Sequence, residues 1–216
     1  LWRDPIWLVV AGALVVGGRL WTSPASRLIG HPMGEGYTHL WLQWLFKGGL
    51  LSGDNPFRHP DALVFGDLWN YPLDLSSHLL RLVLGAVVGQ VMAYNLTALA
   101  LVALAGVATT LLAREVGVGR WASALAGAVA SLNPGLLGFL VDGRVDSCTP
   151  GWAVMCIWAW VRLIRHPSYR GAVHLALWTG ALALASPNLT YGTAIILGCC
   201  SLAALFTRGR RRLWRP

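Results

Sequence analysis

Apolar runs of membrane-crossing length, separated by short arginine clusters, set the terms for what this chain can fold into. A helix needs about 20 apolar residues to cross the hydrocarbon core of a bilayer, with 17 to 25 tolerated. Residues 91–113, 121–141 and 189–206 meet that length directly. Residues 6–22, 148–164 and 170–185 reach it with their flanks, because Arg19 and Arg162 can snorkel to the headgroups. Residues 79–89 are apolar but too short, and are predicted to form a re-entrant or interfacial helix. The predicted fold class is therefore all-α, a polytopic transmembrane helical bundle of about six spans forming a single domain. A soluble reading fails on composition. Of 216 residues, 56% are hydrophobic and 12% charged, about half the charged share of a soluble domain. The formal net charge of +8 does not indicate nucleic-acid binding, because the arginines cluster between apolar runs instead of lining one face.

Lysine and arginine set orientation in a membrane. With both termini in the cytoplasm, the inner segments are 1–5, 114–120, 162–170 and 207–216. They carry Arg3, Arg114, Arg120, Arg162, Arg165, Arg170, Arg208, Arg210, Arg211, Arg212 and Arg215. The outer segments are much longer and hold only Arg19, Arg27, Lys47, Arg58, Arg81 and Arg144. Counting 79–89 as a full span would scatter the arginines over both sides. Acidic residues show the opposite bias: Glu35, Asp54, Asp61, Asp67, Asp74, Asp142 and Asp146 all fall outside. Carboxylates do little to set topology, so their bias points to chemistry on the outer face.

Residues 23–78 form one long outer loop, rich in aromatics such as Tyr37, Trp41, Trp44, Phe46, Phe57, Phe65, Trp69 and Tyr71. Disordered segments are poor in such residues. Within it, 37–51 reads as an amphipathic helix, with Tyr37, Leu40, Trp41, Trp44 and Leu45 at helical spacing. It is predicted to lie at the membrane surface with its tryptophans at headgroup depth. His39, Gln43 and Lys47 share its other face, which Glu35 joins if the helix starts one turn earlier. A second outer turn, Asp142-Gly143-Arg144-Val145-Asp146, places two carboxylates around an arginine. Its ordinary reading is a solvated turn, and that of Glu35 a charge favoured by a helix N-terminus. Cys156, Cys199 and Cys200 lie in apolar runs as packing residues, and Cys148 stands in an outer loop.

The sequence Gly34-Glu35-Gly36-Tyr37-Thr38-His39-Leu40-Trp41-Leu42-Gln43-Trp44 resembles the first outer-loop motif of bacterial GT-C-fold glycosyltransferases. The resemblance continues through Gly53-Asp54-Asn55-Pro56-Phe57, the Tyr71-Pro72 turn, Ala93-Tyr94-Asn95-Leu96, Ser131-Leu132-Asn133-Pro134 and Gly143-Arg144-Val145-Asp146. It spans roughly residues 1–206, the N-terminal half or so of a typical member. The acidic position is usually Asp, where this chain has Glu35. The chain begins at Leu1, so a longer natural protein is expected.

The resemblance implies transfer of a sugar from a polyprenyl-phosphate donor to an acceptor on the outer side of a bacterial inner membrane. Glu35 would be the general base. His39, Asp54, Asp142, Arg144 and Asp146 would bind substrate, with Arg144 on the donor phosphate. Some members use a divalent cation, which clustered carboxylates can hold. Two rival classes remain. A lipid or sugar transporter would place ionisable residues near the midplane, and these spans carry none of Asp, Glu, Lys or Arg there. The other is a non-catalytic subunit of a larger membrane complex; the small residues of 98–113 and 122–130 would let helices pack closely, within this chain or against partner subunits.

Overall fold

A computed structural model describes residues 4–18, 22–31, 33–57 and 74–213, with side chains described as far as residue 203. Phe65, Trp69, Asp61, Asp67, Arg58, Arg19 and the Tyr71-Pro72 turn lie outside the described residues. Among those described, the regular elements are all helical. In chain order they are α1 Ile6–Val16, α2 Gly36–Ser52, α3 Leu75–Val88, α4 Gln90–Glu115, α5 Arg120–Ser131, α6 Pro134–Asp142, a 3-10 turn at Val145–Cys148, α7 Pro150–Arg165, α8 Tyr169–Ala185 and α9 Pro187–Leu213.

Among the described residues, two stretches are long and apolar enough to cross a bilayer: α4, and α5 with α6 taken together as Arg120–Asp142. The other expected spans differ in detail. Helix α1 is apolar but ends at Val16, so its 11 residues rise only about 16 Å. The run 121–141 is two helices, interrupted where the Asn133 side chain accepts a hydrogen bond from the Gly135 amide at 2.8 Å and Pro134 takes the first helical position. Helix α7 starts at Pro150 because 145–148 is wound as a 3-10 turn, which buries Cys148. The apolar segment 79–89 is the larger part of α3, a helix capped by Asp74 and separated from α4 by Gly89 at φ 82°.

Helix α4 is the centre of the bundle. It packs against α1, α3, α5 and α7 and buries a run of small residues, among them Ala98, Ala105, Gly106, Ala108 and Thr110. The close packing expected of 98–113 and 122–130 is present. A Cβ on Gly127 would lie 2.0 Å from Thr110 Oγ1 and 2.5 Å from the Gly106 carbonyl oxygen. Backbones can meet this closely only without side chains.

The bundle has two chemically distinct ends. At one, Arg114 grips the Asp4 carboxylate through both Nη atoms (2.9 and 2.5 Å) and also donates to Ser123 Oγ at 3.2 Å. There too Arg165 donates to the Glu115 carbonyl. Residues 4, 114, 115, 123 and 165 thus share the arginine-rich end. The opposite end gathers residues 24–36, 94–95 and 141–149.

Helix α2 matches the expected 37–51, but its faces are used in a way the periodicity did not show. Tyr37, Trp41 and Trp44 are exposed, while His39 and Gln43 are buried with Leu42, Leu45 and Phe46. Phe46 meets Phe57 edge-on at 5.3 Å between ring centroids and His78 at 6.2 Å. The polar stripe therefore faces the protein and the tryptophan stripe faces out.

Gly127→Leu is expected to lower stability by about 1–3 kcal/mol through overpacking at the α4–α5 crossing. Gly138→Leu, where an added Cβ meets nothing within 4 Å, serves as control, and thermal midpoints in detergent distinguish them. The Asp4 carboxyl is held at about 2 instead of 3.8, chiefly by the hydrogen bond from Arg114 and then by the Ile6 amide. A depressed folded-state value means stability present above 3.8 and lost as pH falls towards 2. Asp4→Asn should flatten that acid limb of the stability profile and leave the neutral limb parallel to the wild type.

Candidate functional site

Two segments distant in sequence, 24–31 and 141–143, are fastened to a pair of residues at the start of α4. Asn95 is buried, and its Oδ1 accepts from the Ile29 amide at 2.8 Å. Its Nδ2 donates to the carbonyls of Pro24 at 3.0 Å and Arg27 at 2.6 Å. Tyr94, fully buried, donates its hydroxyl to the Gly143 carbonyl. One amide side chain thus satisfies three backbone groups of a loop that has no ladder of its own.

The loop then docks backbone to backbone on the 141–143 turn. The Glu35 amide donates to the Asp142 carbonyl at 2.8 Å, and the His31 amide donates to that of Val141. A Cβ on Gly34 would sit 2.3 Å from the Asp142 carbonyl oxygen, and one on Gly143 would sit 2.7 Å from the Gly36 nitrogen. Glycine is required at both places by contact distance alone.

This docking brings four of the six predicted site residues into one cluster. Glu35, at the N-cap of α2, lies with Oε2 3.6 Å from Arg144 Nε and 3.8 Å from His39 Nε2. His39 Nε2 is also 3.2 Å from Asp146 Oδ1. His39 and Asp146 are mostly buried, whereas Glu35 is half exposed. Arg144 therefore pairs with Glu35 instead of with its neighbours in sequence, and it also lies over the Phe139 ring at 5.8 Å. Burial pushes the Asp146 carboxyl up, but contact with His39 and the charges of His39 and Arg144 outweigh it and hold it below the ordinary carboxylate range.

The other two predicted residues fall elsewhere. Asp142 contributes its carbonyl oxygen, and its own residue is exposed. Asp54 follows the far end of α2, where its amide donates to Gly49. The 17 residues of α2 separate it from Glu35 by about 25 Å. Asp54 is therefore not part of the cluster around Glu35.

Beneath the cluster lies a polar layer that the sequence reading did not select. Asp74, Ser77, His78, Arg81 and Gln43 are all about 99% buried. The Asp74 carboxylate accepts from Ser76 Oγ at 2.6 Å, from the Ser77 amide at 3.0 Å and from the Ser77 hydroxyl. Burial nonetheless leaves its carboxyl above the ordinary value, against the pull of those bonds. Arg81 donates through Nε to the Ser77 carbonyl at 3.1 Å and through Nη2 to His78 Nδ1 at 2.8 Å. Its guanidinium lies 5.4 Å over the Tyr94 ring. Gln43 donates to Gln90 Oε1 at 2.9 Å. An arginine inside an otherwise apolar segment was the available signal, since such residues are costly and seldom idle.

Among the described residues, no group of three or more His, Cys, Asp or Glu side chains is arranged to hold a metal ion. Compared with protein-family models, curated proteins and solved structures, the chain matches none.

Asn95→Ala should strand the Ile29 amide and two loop carbonyls. A buried donor left without its partner costs about 1–3 kcal/mol. The expected result is a lower thermal midpoint with unchanged helical circular dichroism.

Proposed function

We propose that this chain is a GT-C-like membrane glycosyltransferase, or the membrane-embedded part of one. It would transfer a sugar from a polyprenyl-phosphate-linked donor to an acceptor on the non-cytoplasmic side. The observation that carries the reading is the convergence of Glu35, His39, Arg144 and Asp146 at the end of the bundle opposite the arginine clusters.

Each residue has a role that its surroundings suit. Glu35 is the exposed carboxylate of the group, and it acts as the general base on the acceptor hydroxyl. His39, held against Asp146, sets the position of Glu35 on one side. Arg144 sets it on the other and offers its remaining guanidinium donors to the donor phosphate. In this reading α1, α4, α5 with α6, α7, α8 and α9 cross a bacterial inner membrane and leave both termini in the cytoplasm. Helix α3 re-enters from the outer side, and α2 lies at the outer interface with Trp41 and Trp44 in the headgroup layer. The exposed apolar side chains Leu8, Val15, Leu125, Val129, Leu177 and Ile195 support lipid contact along the bundle.

One observation favours a second reading. Helices α8 and α9 expose apolar residues on much of their circumference, among them Leu177, Leu184, Tyr191 and Ile196, as the face of a subunit in a larger membrane complex would.

The test compares sugar transfer in membranes from polyprenyl-linked donors by the natural full-length protein and by its Glu35→Gln variant. Loss of a general base lowers turnover by about 10²–10⁴-fold, and a fall in that range is expected with insertion unchanged. Unchanged turnover would remove Glu35 from the mechanism. No transfer by the wild type over a broad donor panel would favour the subunit reading.

A further inference from the structure

The polar layer under the cluster carries an imbalance that its own residues do not resolve. Arg81 is 1% exposed, yet no carboxylate among the described residues forms an ion pair with it. Its Nε and Nη2 are satisfied, by Ser77 and His78, while Nη1 is buried with no partner. Arginine keeps its charge at any pH a protein meets. Asp74 and Asp146 act on that charge only from beyond ion-pair distance, and a buried guanidinium with no carboxylate in contact is costly to retain.

His78 adds a second vacancy of the same kind. Because its Nδ1 lies 2.8 Å from Arg81 Nη2, a group that can only donate, Nδ1 accepts and the ring proton resides on Nε2. The short approach of Nδ1 to the Asp74 carbonyl is then a contact between two acceptors. Burial and then the charge of Arg81 pull His78 down to about 3, so the ring is neutral. Its Nε2–H is buried and also without a partner. Both orphaned atoms are therefore donors, they are joined through one hydrogen bond, and one of them belongs to a guanidinium with no carboxylate in contact. A water molecule would fill the hydrogen bonds but not the charge.

We propose that Arg81 Nη1 and His78 Nε2 form an anion site that takes the oxygens of a phosphate group. Phosphate suits the pair because a guanidinium and an adjacent N–H can each bind a different oxygen of one tetrahedral anion. The locus lies directly beneath the proposed catalytic cluster. Arg81 stacks on Tyr94, whose hydroxyl holds Gly143 next to Arg144. The inference rests on the reading of that cluster as a lipid-phosphate enzyme only for the source of the phosphate. The donors themselves require an anion whatever reaction follows.

Binding is measured apart from any transfer, on the purified full-length protein in maltoside micelles free of phospholipid. Inorganic phosphate is the probe in one arm and decaprenyl monophosphate in the other, read by thermal midpoint and by phosphorus NMR line width. Saturable stabilisation of the wild type is expected. Arg81→Gln and His78→Asn should weaken it about tenfold or more. His78→Gln, which restores an N–H near the Nε2 position, should largely retain it. If Arg81→Gln does not fold, the contrast between His78→Asn and His78→Gln decides. Stabilisation by both probes identifies a free or headgroup phosphate as sufficient, and stabilisation by the lipid alone identifies a headgroup; either supports the site. No response to either probe overturns it, as does an equal response in the wild type and the variants, which would move the phosphate to Arg144. Phosphate binding without sugar transfer would leave this site standing and sink the transferase reading, so the two fail separately.

Discussion

The Asn95 side chain is the point on which the end of the bundle opposite the arginine clusters depends. An amide can offer one acceptor and two donors at once, and here all are spent on the backbone of residues 24–29. Backbone groups removed from water must find partners, and a loop lacks the internal ladder that a helix or sheet provides. Asn95 sits on α4, the most enclosed helix of the bundle, so its position is fixed by packing on several sides. The loop inherits that rigidity. Without it, Gly34 would have no reason to press on Asp142, and Glu35 would not meet Arg144.

Charge is distributed by the same logic. At the arginine-rich end, Asp4 and Arg114 lie near the surface, and their contact fastens the start of α1 to the end of α4 and to Ser123 of α5. At the other end the ionisable groups lie deeper, and their arrangement is less complete. His39 stands between two carboxylates, while Arg81 has none within ion-pair distance among the described residues. Satisfied pairs at one end and unsatisfied donors at the other are what a scaffold and a binding site would respectively leave behind.

Much of this was legible in the sequence. Apolar length and arginine spacing pointed to helices, although 121–141, read as one span, is broken at Asn133-Pro134 into α5 and α6. Glycine around Glu35 and around Arg144 marked the two segments that meet, although spacing alone could not say that they touch. Three features stayed hidden for physical reasons. The start and end of α1 and α7 depend on local turns that hydropathy does not encode. Asp54 resembles Glu35 in composition and neighbourhood, but a helix of 17 residues separates them. His78 and Arg81 lie in a segment whose average is apolar, and an average conceals which face each residue occupies.

That last point bears on the surroundings of the whole molecule. Helix α3 buries Ser77, His78 and Arg81 and exposes Leu79, Leu80, Val83 and Val87. Helix α2 is mixed, with His39 and Gln43 inside beside Leu42, Leu45 and Phe46, and Tyr37, Trp41 and Trp44 outside. In water an amphipathic helix turns its apolar stripe towards the core. The opposite arrangement on α3, with aromatics exposed on α2 beside it, is what an apolar medium outside the proposed membrane bundle would favour. The inversion supports the proposed membrane setting independently of helix length. It also fits the proposed re-entrant placement of α3, in which arginine and histidine would face a polar interior and valine and leucine would face lipid without the helix reaching the far side.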